Sequence, residues 1–147
     1  MSCSKPAATV QSLDHLVLTV QSIPTTTKWY TSHLGMQSES FISDASPEIT
    51  RYSLLFGDQK INLHESGKEF EPKALHVQPG SGDLCFITRD PIVQVRQRLV
   101  EAGVEMVDLS PEKTEDGTVL RTGARGKLRS VYCRDPDGNL VEISNYV

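Results

Sequence analysis

The sequence predicts an α+β fold of two tandem βαβββ modules whose mixed sheets curl around a common cleft. Two observations carry this. The chain repeats its own pattern once, at a period of roughly 68 residues, too long and with too few copies for a solenoid. Each copy also sets one amphipathic helical stretch after an opening apolar stretch and before three further strand-like stretches, in the order β-α-β-β-β.

The first copy opens with Leu13–Val20, apolar and rich in β-branched residues. Ser22 and Pro24 then read as an N-cap and a first-turn proline, Ile23, Tyr30 and Leu34 mark the buried side of a helix, and Gly35 ends it. Met36–Ser43, Thr50–Phe56 and Lys60–Glu65 follow as strands, the last two joined at Gly57-Asp58. The second copy opens with Asp83–Thr88. Asp90 and Pro91 read as cap and first-turn proline, Ile92, Val95, Leu99 and Ala102 share one helical face, and Gly103 closes the helix. Its three strands are Glu105–Leu109, Lys127–Arg134 and Asn139–Ser144, with Asp135-Pro136-Asp137-Gly138-Asn139 as the turn between the last two.

These boundaries predict a loose tail over residues 1–11 and one domain over 12–147, with modules at about 12–65 and 83–147 and a Gly-, Pro- and charge-rich linker at 66–82. Ser110–Gly126 has no clear periodicity and reads either as a loop over a site or as a solvated excursion.

A net charge of −4, with no basic run, excludes a polyanion-binding surface, so no nucleic-acid partner is expected. No apolar run approaches the ~20 residues that cross a bilayer, and Met1–Thr9 lacks the apolar stretch of a secretory signal. Cys3, Cys85 and Cys133 are odd in number and form no CxxC pair, which indicates neither a disulfide framework nor a thiolate zinc site and fits a reducing, cytoplasmic setting. Cys85 reads as a small buried apolar residue rather than a nucleophile.

Alternation along strands assigns the polar residues a side. His15 shares a face with Val17 and Thr19, and Asp83, its repeat mate, shares one with Cys85 and Ile87. Aligning Ile61-Asn62-Leu63-His64 with Asn139-Leu140-Val141-Glu142 makes His64 and Glu142 mates as well, while Glu65 falls on the opposite face. Singly, each such residue is most often a hydrogen-bonded strand residue. Together, two imidazoles and two carboxylates at repeat-equivalent positions form a donor set for a divalent cation, with zinc, nickel, cobalt, manganese and ferrous iron all compatible. Arg51, Arg121, Arg125, Lys127 and Arg129 are potential anion contacts or plain surface charges, and Tyr52 and Tyr132 occupy mate-like strands. Asn62 and Ser144 share the predicted faces of His64 and Glu142; His33 and His76 are not expected to bind metal.

The stretches LDHLVLTV, HLGM, KINLHE, GSGDLCFIT and RDPDGNLVEISNY, over about residues 12–147, resemble the glyoxalase, bleomycin resistance and extradiol dioxygenase group, the vicinal oxygen chelate superfamily. GDQKINLHE, KEFEPKA and RTGARGK are similar to the subgroup of glyoxalase domain-containing protein 5. The resemblance implies metal ligands from the first and last strand of each module, hence His15, His64, Asp83 and Glu142, although many members carry Glu or Gln where His64 stands and His where Asp83 stands. It further implies a metal-dependent enzyme, a lyase or isomerase of lactoylglutathione lyase type, in which a divalent cation binds a small oxygen-rich substrate and Glu142 or Asp83 is the general base. The alternatives are a non-catalytic small-molecule binder of the bleomycin-resistance kind and a dioxygenase-type enzyme of secondary metabolism. Exposed edge strands leave a homodimer open, and the cleft could lie within one chain or be shared by two.

Overall fold

A computed structural model describes residues 4–108 and 112–147. The tail Met1–Cys3, the end of the predicted strand at Leu109 and the start of the predicted loop at Ser110-Pro111 lie outside the described residues.

The first module runs β1 (His15–Val20), α1 (Ile23–Leu34), β2 (Gln37–Ser43), β3 (Ser46–Phe56) and β4 (Gln59–Glu65). Its sheet has the order β1-β4-β3-β2, with β1 parallel to β4 and the other pairs antiparallel. Local chemistry sets α1. The Ser22 hydroxyl accepts from the Thr25 amide at 3.3 Å, and Gly35 ends the helix at φ 66°, a left-handed conformation in which other residues are strained.

The second module runs β5 (Asp83–Ile87), α2 (Ile92–Glu101), β6 (Met106–Val107), β7 (Val119–Gly123), β8 (Gly126–Arg134) and β9 (Leu140–Tyr146). Its sheet has the order β5-β9-β8-β6, and β7 also pairs with β8. This corrects the reading of 110–126 as loop alone. Leu120, Arg121 and Thr122 form a strand because β8 supplies the ladder, with Leu120 and Arg121 standing opposite Arg129 and Leu128. The cap of α2 also differs from expectation. Pro91 is the capping position and brings no side-chain bond, whereas Asn145 on β9 accepts from the Ile92 amide at 3.0 Å. The same Asn145 amide group donates to the carbonyls of Thr88 and Asp90, which fixes the entry of the chain into α2.

One face of each sheet is apolar and packs on its helix. Leu18, Val20, Leu54, Ile61 and Leu63 meet Tyr30 and Met36 in one core cluster; Val131, Cys133, Val141 and Ile143 meet Ile92 and Leu99 in the other. Each fully buried aliphatic side chain contributes about 1.5–3 kcal/mol. Trp29, Leu34 and Phe86 pack against both clusters, and the Phe86 ring meets Phe56 edge-on at 5.4 Å, so the two cores are continuous.

A buried polar knot joins the modules. Asp135, 5% exposed, accepts from the Tyr30 hydroxyl at 2.8 Å, from the Asn139 side-chain amide at 2.7 Å and from the backbone amides of Asp137 and Asn139. Asn139 in turn accepts from the Gly82 amide at 2.7 Å, tying in the end of the linker. Gly80 runs so close to the turn that a Cβ there would lie 2.5 Å from the Asp137 carbonyl oxygen, and its φ of 83° also requires glycine.

Candidate functional site

The opposite, open faces of the two sheets carry the polar residues, because each strand alternates. Strand register places them. In the first sheet His15 pairs with Lys60, Val17 with Asn62 and Thr19 with His64. In the second, Asp83 pairs with Leu140, Cys85 with Glu142 and Ile87 with Ser144. His15 and Asp83 are therefore equivalent, as the sequence predicts. The structural mate of Glu142, however, is Asn62, and the mate of His64 is Ser144, so the pairing of His64 with Glu142 is corrected. The β3–β4 turn is only Gly57-Asp58, whereas the turn before β9 spans 135–139. Strand register, rather than this three-residue difference in turn length, fixes the displacement at two residues. A shift of two keeps every side chain on its face and changes only its position along the strand, so alternation alone does not reveal it.

His64 consequently lies four residues further along the strand pair than His15, about 13 Å at the rise of a strand. The four predicted donors fall in three cavities. His15 and Asp83 line one of about 280 Å3 with Phe56 and Cys85. His64 lines one of about 370 Å3 with Val17, Thr19 and Lys73. Glu142 lines one of about 360 Å3 with Cys85, Arg121 and Tyr146. Among the described residues, no group of three or more His, Cys, Asp or Glu is placed to hold a metal ion. The donor types suit a divalent cation; their placement in one chain does not.

Around Glu142 the site is well built. Ser130 donates to its Oε2 at 2.7 Å and Ser144 to the same oxygen at 3.2 Å, and the two serine hydroxyls are 2.6 Å apart. Oε1 has no hydrogen bond among the described residues. Ser130 and Ser144 are fully buried, so the carboxylate is held at a fixed place. Tyr132 stands directly opposite Glu142 on β8, and its hydroxyl accepts from Arg121 Nε at 3.1 Å. Partial burial and the Glu142 carboxylate push the Tyr132 phenol above its ordinary value against the pull of Arg121, so it keeps its proton at neutral pH. Arg121 is itself oriented by Glu112 at 2.8 Å. Tyr52 is not the counterpart of Tyr132: it pairs with Leu63 on the helix side, and Ser53 takes the equivalent place, donating to Asn62 at 2.8 Å.

Cys85 is exposed on the open face rather than buried, 3.5 Å from the Ser144 hydroxyl. Desolvation and the nearby Glu142 still raise its thiol pKa, which leaves it a poor nucleophile. His15 bonds its neighbour Asp14 at 2.7 Å, and this contact holds the Asp14 carboxyl below the usual range. At His64, Nδ1 is buried without a hydrogen-bond partner among the described residues. A further cavity of about 770 Å3 lies between α1 and β2–β3 and is lined by Glu65, as expected from its face. Ser144, Arg121 and Tyr132 are each candidates from the sequence; Ser130 and the pairings that gather these residues around Glu142 are what sequence reasoning missed, because they follow only from the β7–β8 and β8–β9 registers.

The likenesses of the chain to known proteins follow this architecture. Virulence protein STM3117 of Salmonella typhimurium is 48% identical over 138 residues, covering 94% of this chain and 86% of the relative. Its crystal structure superposes with a TM-score of 0.80, covering 95% of this chain and 100% of that one. Glyoxalase domain-containing protein RDO1 of Mycosarcoma maydis is 48% identical over 137 residues, covering 93% of this chain and 69% of the relative. Lactoylglutathione lyase from Agrobacterium tumefaciens, at 19% identity and a TM-score of 0.59 over 97% of this chain and 96% of that one, shares the fold. Residues 12–143 match the family model of the Glyoxalase/Bleomycin resistance protein/Dioxygenase superfamily, and with the paired β-α-β-β-β sheets this establishes that the chain belongs to that superfamily.

Proposed function

We propose that the protein is a glyoxalase-type enzyme, a lyase or isomerase, that takes a proton from a small oxygen-rich substrate on the open face of the second sheet, with Glu142 as the general base. The observation that carries this is the fixed carboxylate of Glu142. Two buried serines hold Oε2, Oε1 is without a partner among the described residues, and a cavity of about 360 Å3 adjoins it. A base held in one geometry avoids the orientational cost of proton transfer. Tyr132, protonated, and Arg121 supply hydrogen-bond donors beside it, suited to an oxygen that gains negative charge as the proton leaves. Asp83, the other proposed base, lies two residues back along the adjacent strand on the same face.

A divalent cation such as zinc, nickel, cobalt, manganese or iron, typical of the superfamily, would find suitable donor types in His15, Asp83 and Glu142. Because a single chain does not gather three of them, no catalytic step is assigned to a metal, and a homodimer would have to complete such a site. Elemental analysis of unsupplemented protein alongside its mass in solution tests this: stoichiometric metal in a monomer contradicts it.

Turnover assays with methylglyoxal and glutathione, and with small α-hydroxy and α-keto acids, test the enzyme reading. Glu142→Gln is expected to keep the fold and lose about 10²-fold or more in kcat. Full activity in Glu142→Gln would reject the proposed role. The dispersal of the donors over three cavities favours one second reading, a non-catalytic small-molecule binder. Tight ligand binding with no turnover on any substrate would select it.

A further inference from the structure

We propose that the cavity beside His64 is a binding site for the carboxylate group of a small molecule, held by His64 and Lys73 and drawn in by the adjacent charge of Arg51. His64 is 8% exposed, and its Nδ1 is buried with no hydrogen-bond partner among the described residues. The Nε of Arg51 is buried and unpartnered in the same way, and Arg51 has no ion pair among the described residues. Buried polar atoms almost always find partners within the protein or in bound molecules, so two orphans side by side mark a place where a ligand supplies the acceptor.

One aromatic ring positions both. Phe70 of the linker meets the His64 ring edge-on at 4.8 Å, and the Arg51 guanidinium carbon stacks 4.4 Å from the centre of the same ring. Apolar walls from Val17, Pro72 and Ala74 enclose about 370 Å3, room for a small organic acid, and Lys73 stands at the lining.

Charge narrows the ligand class. Arg51 and Lys73 are cations, and the Glu69 carboxylate lies 3.9 Å from the Lys73 ammonium, cancelling one of them. The remainder is a single positive charge beside a neutral imidazole that can donate from Nδ1. This matches a carboxylate monoanion better than a phosphate dianion. The site lies on the first sheet, so the inference does not depend on the role given to Glu142.

Titration of the whole protein with sodium acetate, sodium lactate and, separately, inorganic phosphate, read by NMR at the His64 ring, tests it. A saturable shift with acetate or lactate is expected. Affinity should weaken about tenfold or more in Arg51→Gln and in Lys73→Gln, as for a lost charge-assisted hydrogen bond, and tighten in Glu69→Gln. A merely structural role for these residues would not tighten binding in Glu69→Gln. Lys73 is partly exposed, 34% at the side chain, so its variant remains informative if Arg51→Gln fails to fold. No saturable shift, unchanged affinity in folded Lys73→Gln, or a preference for phosphate would overturn the proposal.

Discussion

At His64, burial first and the neighbouring Arg51 charge second hold the imidazole below its ordinary value of 6.5, with Lys73 acting in the same direction and Glu69 opposing. The folded protein therefore binds this proton less readily than the unfolded chain. The stabilisation is complete above the ordinary value and is lost as pH falls through 6.5 toward the lower folded value. Urea unfolding from about pH 7.5 down to about pH 5 is expected to show a loss of stability that His64→Gln reduces; identical pH dependence in the variant would contradict this. The equivalence of His15 and Asp83 was legible at this scale because both open the first strand of a module. The displacement of His64 was not, since a two-residue slip preserves alternation. Ser144 was legible from its face, but its partner Ser130 was not: the two are 14 positions apart and meet only through the β8–β9 register.

Among the elements, α2 shows a cap brought from a distant strand. Asn145 holds the Ile92 amide with one end of its side chain and the carbonyls of Thr88 and Asp90 with the other. Asn145→Ala should lower stability by about 1–2 kcal/mol, and amide exchange over the first turn of α2 should quicken more than over its last turn. Uniform exchange along the helix would count against the cap. The helices and most strands could be read directly, since Ser22, Gly35 and Gly103 punctuate them and their apolar faces are periodic. Asp90, a good capping residue by type, misled because tertiary structure filled the role from β9. Strand β7 was missed because Val119, Leu120 and Arg121 carry too short a pattern to stand out; their strand character comes from β8.

For the whole molecule, the repeat exposed the architecture and the Asp135 knot joins its halves. Tyr30→Phe removes one charge-assisted bond and should cost about 1.5–3 kcal/mol. Asp135→Ala leaves the Tyr30 hydroxyl and the amides of Asp137 and Asn139 without acceptors and should cost upwards of about 3 kcal/mol, measurable by chemical denaturation. A smaller loss in Asp135→Ala than in Tyr30→Phe would show that water replaces the carboxylate. Little in the sequence announces the knot, because Tyr30 and Asp135 are 105 positions apart and Asp135 reads as an ordinary turn residue. Its consequence is kinetic. Separating the halves breaks the Tyr30–Asp135 bond and uncovers Trp29, Leu34 and Phe86, which pack on both cores, so the slowest amides of both sheets should exchange with solvent through one shared event.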